Sequence, residues 1–158
     1  MPLDQFPDSF GFLIADVSRL ARAEFDRRIS EAGLGLTPGE ARALSNAFRA
    51  GVVRQTVLAD RMGVEAMTLS AYLDRLEARG LIERRPDPTD RRAKLVYLAD
   101  SARAVLETIQ AVGDSIKDDL VQTISPSEWE HLNAALRLTR DSLNQLRLEA
   151  IRRESDAA

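Results

Sequence analysis

Cysteine is absent from the 158 residues. That removes disulfides, thiolate nucleophiles, cysteine redox sensing and thiolate metal sites together. Histidine occurs once, at His131. Catalysis needs a nucleophile, an acid–base pair or a metal site, and no second ligand-type residue is patterned with that histidine. It reads as a surface or interface residue, so an enzyme is not expected, nor a metal or any other cofactor. No apolar run approaches the roughly 18 residues that would cross a bilayer, so no membrane partner is expected. The first ten residues lack the charged-then-apolar layout of a secretory signal, which points to the cytoplasm. What is present is ordinary for a folded chain: 44% hydrophobic and 30% charged residues, enough to bury a core and stay soluble.

The net charge of −3 does not by itself suggest nucleic acid. Its distribution does. From Arg75 to Leu95 the chain carries a local +3, leaving −6 for the remainder. A basic island on an acidic body is either a phosphate-facing surface or a solvated charge cluster, and charge alone does not choose.

Apolar residues at three- and four-residue spacings predict a long amphipathic helix from Phe10 to Ala32, ended by Gly33 and Gly35. Thr37-Pro38-Gly39-Glu40 then reads as a capping box with proline at the first helical position. The helix that follows is expected to turn Ala43, Leu44 and Phe48 inward and to stop near Gly51. A short helix over 54–61, a turn at Met62-Gly63-Val64 and a helix to Arg79 come next, with Gly80 as the terminator. Residues 81–85 and 94–98 read as two short strands. Between them Pro86-Asp87-Pro88-Thr89-Asp90-Arg91-Arg92 reads as a hairpin loop. Leu106, Ile109, Val112, Ile116, Leu120 and Ile124 mark another helix. Ser125-Pro126-Ser127-Glu128 caps a last one carrying Leu132, Leu136, Leu143, Leu146 and Ile151.

This order is that of a mainly α protein with a small β-wing, a winged helix-turn-helix flanked by N- and C-terminal helices. Ala59 suits the crossing of the two motif helices and Gly63 the turn, with Leu58, Val64, Leu69 and Leu73 closing the core. The second helix must offer short side chains to the major groove, and Ala66, Met67, Thr68 and Ser70 occupy that stretch. Thr68 or Ser70 alone is equally an ordinary exposed residue. The Asp90-Arg91-Arg92 hairpin downstream weights the reading toward DNA, because such a loop can insert an arginine into a minor groove.

Gly63-Val64-Glu65, Leu73-Asp74-Arg75-Leu76-Glu77-Ala78-Arg79-Gly80-Leu81-Ile82-Glu83-Arg84 and Asp87-Pro88-Thr89-Asp90-Arg91-Arg92-Ala93-Lys94 resemble the MarR family of bacterial regulators. The Gly-Val-Glu start and Asp-Arg-Arg-Ala-Lys wing are most similar to its SlyA branch. The resemblance implies a homodimer whose terminal helices (10–36 and 99–154) interlock, with the winged domain (37–98) of each chain on half of a pseudo-palindromic double-stranded operator. It implies a repressor released by a small anionic or aromatic effector. DNA contacts would fall to Ala66, Met67, Thr68, Ser70, Arg75, Arg84, Arg85, Arg91, Arg92 and Lys94, with the Asp90 carboxylate bracing Arg92. With Arg84, Arg85, Arg91 and Arg92 each on a phosphate, the dimer's logarithmic salt slope would be near −7. Two departures stand out. Ala71 replaces an arginine that relatives often aim at the groove. Ala41 and Ser45 stand where the SlyA branch places an aromatic residue and a histidine around its ligand. Arg19 and Arg22 could supply counter-charge to an anion, or be solvated or paired with Asp16 and Asp26. A winged module serving protein contacts or nonspecific DNA packaging is the competing reading. The arginine-bearing wing and the acidic overall charge weigh against it.

Overall fold

The computed structural model describes residues 9–156. They form α1 (Phe10–Glu31), α2 (Pro38–Ala50), β1 (Val53–Arg54), α3 (Gln55–Met62), α4 (Ala66–Ala78), β2 (Ile82–Pro86), β3 (Lys94–Leu98), α5 (Ala102–Leu120) and α6 (Pro126–Asp156). The chain divides into two units, residues 1–116 and residues 117–158.

The first unit holds the core. Helix α2 starts as its residues dictate: the Thr37 hydroxyl accepts from the Glu40 N–H at 3.3 Å, and Glu40 Oε2 accepts from the Thr37 N–H at 3.1 Å. Its inner face, Ala41, Ala43, Leu44 and Ala47, is at most 1% exposed and meets Ile29 of α1, Leu58 of α3 and Leu69, Leu73 and Leu76 of α4. Leu76 N-terminal to Gly80 illustrates the ending of α4. Gly80 adopts φ 70°, and the Leu81 N–H reaches back to the Leu76 carbonyl at 3.0 Å. Arg79 then ties that end to the α1–α2 connection, donating to the Gly35 and Leu34 carbonyls at 2.6 and 3.1 Å.

Three differences from the sequence reading concern this unit. The sheet has three strands in the order β1-β3-β2, because Val53 and Arg54 pair with Val96 and Leu95. Two residues are too few to show an alternation. Pro86 belongs to β2, opposite Lys94, and not to the loop; β2 is an edge strand, where a missing N–H costs no ladder bond. Phe48 is 63% exposed instead of buried.

The second unit is dominated by α6, 31 residues and therefore about 46 Å long. The Ser125 box is made as expected, with the Ser125 N–H on Glu128 Oε2 at 2.8 Å and the Glu128 N–H on the Ser125 hydroxyl at 3.3 Å. None of its residues is buried, and Leu132, Leu136, Leu138, Leu143, Leu146, Leu148 and Ile151 are all exposed. His131 is exposed as well. No helix of the described residues is long and apolar enough to cross a membrane.

Candidate nucleic-acid interface

Helices α3 and α4 meet at a turn that only a few residues permit. Gly63 takes the left-handed φ of 62° at the end of α3, and the Val64 N–H bonds the Ala59 carbonyl at 3.2 Å. Ala59 is 6% exposed, small enough to let the helices cross closely. Helix α4 then buries Leu69, Leu73 and Leu76 completely. Its opposite face, Ala66, Met67, Thr68, Ala71, Asp74 and Arg75, is left in solvent, whereas Ser70 is half-buried.

Two contacts fix the orientation of that face. The Tyr72 ring lies on Gly39 of α2, so close that a Cβ at Gly39 would stand 2.6 Å from the Tyr72 hydroxyl. Glu40, 3% exposed, spends one carboxylate oxygen on the α2 cap and offers the other to Arg75 Nε. A buried carboxylate satisfied on both oxygens is a rigid pin, since freeing it would leave a charge unpaired in the interior. Arg75 remains 57% exposed in its side chain, so the outer edge of its guanidinium is still available to a phosphate.

The wing is braced at its base. Asp87, 5% exposed, accepts from the Thr89 N–H and hydroxyl at 2.8 Å each and from Arg54 Nε at 2.6 Å. Arg54 also reaches the Thr89 hydroxyl at 3.1 Å. These bonds, the Thr89 N–H foremost, hold the Asp87 carboxyl down at about 2. A depressed acid stabilises the fold above its unfolded value, near 4, and that contribution disappears as pH falls toward 2. Urea midpoints measured from pH 5 to pH 2 should therefore decline in the wild type, and Asp87→Asn should flatten part of that decline.

At the wing tip the Asp90 carboxylate accepts from the Arg92 backbone N–H at 3.0 Å. The bracing expected of Asp90 thus acts on the backbone of Arg92, in an Asx turn, and leaves the guanidinium unheld. Arg91, Arg92 and Lys94 are exposed and carry no ion pair with any described residue.

The arginines of β2 separate by strand alternation. Arg85 lies on the outer face, paired with Glu83 at 2.8 Å and stacked over Tyr97 at 4.5 Å from the ring centroid. Arg84 turns the other way, onto α4, and bonds Glu77 at 2.6 Å and Asp74 at 2.7 Å with a side chain only 17% exposed. Those carboxylates raise the Arg84 pKa and Arg84 lowers that of Glu77. Arg84 is therefore a strut between strand and helix. Arg84→Ala should lower the melting temperature by about 2–4 °C, from a loss of roughly 1 kcal/mol. Calorimetry reads the one effect, and an unchanged salt slope of any DNA binding reads the other.

A second feature lies within the first unit. A cavity of about 1230 Å³ opens among α1, α2 and α5, lined by Arg22, Phe25, Ser45, Phe48, Arg49 and Arg103 among others. Of the four ligand candidates, Arg22 and Ser45 line it. Ala41 does not: it is wholly buried in the core, because it sits on the inner face of α2. Arg19 does not either, and bonds Asp16 at 3.1 Å. Asp26 is held by Arg42, not by Arg22.

The sequence pattern of the MarR family matches residues 36–94, from just before α2 to the first residue of β3. A probable transcriptional regulator from Pseudomonas aeruginosa is 32% identical, over 84% of this chain and 97% of that one, with a TM-score of 0.62. This chain belongs to the MarR family. A MarR-family regulator from Silicibacter pomeroyi is similar at 28% identity, over 82% and 86% of the two chains, with a TM-score of 0.68. The apo form of MarR from E. coli is similar at 25% identity, over 84% and 96%, with a TM-score of 0.70. The three-stranded winged helix is accordingly the MarR fold, and membership makes this chain one of a family of transcription regulators.

Sequence reasoning passed over Arg54, which braces the base of this MarR wing, Glu40 as the partner of Arg75 on α4, and Arg49 and Arg103 in the cavity. Only the alternation of β2 carried a usable signal, since it already puts Arg84 and Arg85 on opposite faces.

Proposed function

We propose that this chain is a homodimeric repressor of the SlyA type, acting in the cytoplasm on a pseudo-palindromic operator. The observation that carries the DNA reading is the wing tip. Arg91 and Arg92 stand exposed and without carboxylate partners among the described residues, on a hairpin whose strand β2 is tied to α4 through Arg84 and whose base is locked by Asp87 and Arg54. A rigid hairpin with free guanidinium groups suits a narrow, electronegative minor groove while the helix enters the neighbouring major groove. Two such modules about a dyad would read half-sites roughly 10 base pairs apart. With Arg84 withdrawn as a strut, Arg91, Arg92 and Arg85, whose pair with Glu83 is exposed on both sides and exchangeable for a phosphate, leave about six phosphate contacts per dimer. The salt slope then becomes about −5, shallower than the −7 of four arginines per chain.

The cavity supports an effector site. Arg22, Arg49 and Arg103 line it without ion pairs to described residues, alongside Phe25, Phe48 and the carboxylates Asp100, Glu107 and Asp114; an anion with an apolar body would be held at the arginine edge of this mixed lining. Helix α2 connects it to the interface, because its C-terminal half carries Ser45, Phe48 and Arg49 and its N-terminal turn holds Arg75 through Glu40. A ligand that shifts α2 would shift α4. A shift assay with selected and scrambled duplexes at two salt concentrations tests the regulator. Preference for the selected duplex should survive the higher salt, and equal loss of both complexes would point to nonspecific packaging.

A further inference from the structure

The solvent face of α4 is poor in hydrogen-bonding groups over its first two turns. From residue 66 to residue 72 the exposed side chains are Ala66, Met67, Thr68 and Ala71. Ser70 and Tyr72 are half-buried and Leu69 is buried. Thr68 alone offers a hydroxyl on that face. Met67 is 86% exposed, more than any other large apolar side chain among the described residues. A solitary exposed methionine on an arbitrary surface calls for no partner. This one stands on the first turn of the second motif helix, in a winged unit that also exposes Arg61 at the end of α3, Arg75 farther along α4 and Arg91 and Arg92 on the wing.

Major-groove edges present donors and acceptors at every base pair but a single apolar feature, the C5-methyl group of thymine. On the DNA-binding reading above, we infer that Met67, flanked by Ala66 and Ala71, recognises thymine methyl groups in the operator's major groove. Specificity at the centre of each half-site then comes from burial of methyl against a flexible thioether, and not from bidentate hydrogen bonds. Methionine suits the task because its unbranched chain moulds to an irregular apolar surface.

The test uses a duplex selected by the full-length protein from a random-sequence pool. It is resynthesised with deoxyuridine in place of thymidine, which deletes the methyl group and leaves pairing and the minor-groove edge intact. Wild-type affinity should fall about fourfold per contacted methyl, about fifteenfold when each half-site loses one. Met67→Ala should weaken binding to the thymine duplex and bind both duplexes alike, with an unchanged melting temperature because the side chain is exposed. Equal wild-type affinity for the two duplexes overturns the inference, as would a Met67 that faces a protein partner. Undiminished sensitivity in Met67→Ala also overturns it, by placing the methyl contact elsewhere. Failure to select any duplex is a different result: it overturns the DNA-binding reading itself, and the inference with it.

Discussion

Glutamate at Leu143 and Leu146 is expected to abolish dimerisation and, with it, operator binding. These leucines are 56% and 61% exposed on a helix with no buried residue, and they share a stripe with Leu132, Leu136 and Ile151 at helical spacing. Such a length of apolar helix is stable in water only against a partner, and a second copy of α6 supplies one of matching shape. In a dimer four leucines would be replaced. At about 2 kcal/mol of burial each the loss is about 8 kcal/mol, enough to move a nanomolar dissociation constant close to millimolar. Sedimentation at low micromolar concentration should show twice the chain mass for the wild type and not for the variant. The wild-type melting temperature should rise with protein concentration, as linkage to association requires. A variant that stays dimeric would remove α6 from the interface.

Arg92→Ala should weaken operator binding by roughly 1–3 kcal/mol, between about fivefold and 150-fold, without unfolding the protein. Its guanidinium bonds nothing among the described residues, while its backbone N–H keeps the bond to Asp90 whatever the side chain. The melting temperature should therefore stay where it is. Arg91→Ala should weaken all DNA about equally and make the salt slope shallower by about two, one phosphate for each subunit. Arg92→Ala should act most on operators with an A·T-rich segment under the wing, where the minor groove is narrow. Fluorescence anisotropy across a salt series separates the two. If both variants bind as the wild type does, the wing has no part in recognition.

Much of this protein was legible in its residues because the determinants are local. Helical periodicity located α1, α5 and α6, and the boxes at Thr37 and Ser125 located two helix starts to the residue. Gly63 and Gly80 marked turns that need positive φ. Local chemistry also placed the basic hairpin immediately after the second motif helix.

What escaped the sequence reading depends on partners distant along the chain. Arg54 and Asp87 are 33 residues apart, and Glu40 and Arg75 are 35 apart; nothing in either neighbourhood announces the pair. Alternation separates Arg84 from Arg85, but only the packing of β2 against α4 decides which of them meets Glu77 and Asp74. Phe48 has the spacing of a core residue and lines a cavity instead, because periodicity marks an apolar face and is silent on whether anything fills the space beside it. Ala41 likewise falls on the inner face of α2 and is enclosed by the core, so the ligand position that the resemblance implied for it is closed. The amino-acid sequence by itself determined the helices, the two strands of the wing, the family and the charge of the wing, since each is written in residues close together. The tertiary structure decided which arginines remain free to meet DNA and which are already committed to carboxylates, because that is settled only when distant side chains are brought within hydrogen-bonding distance.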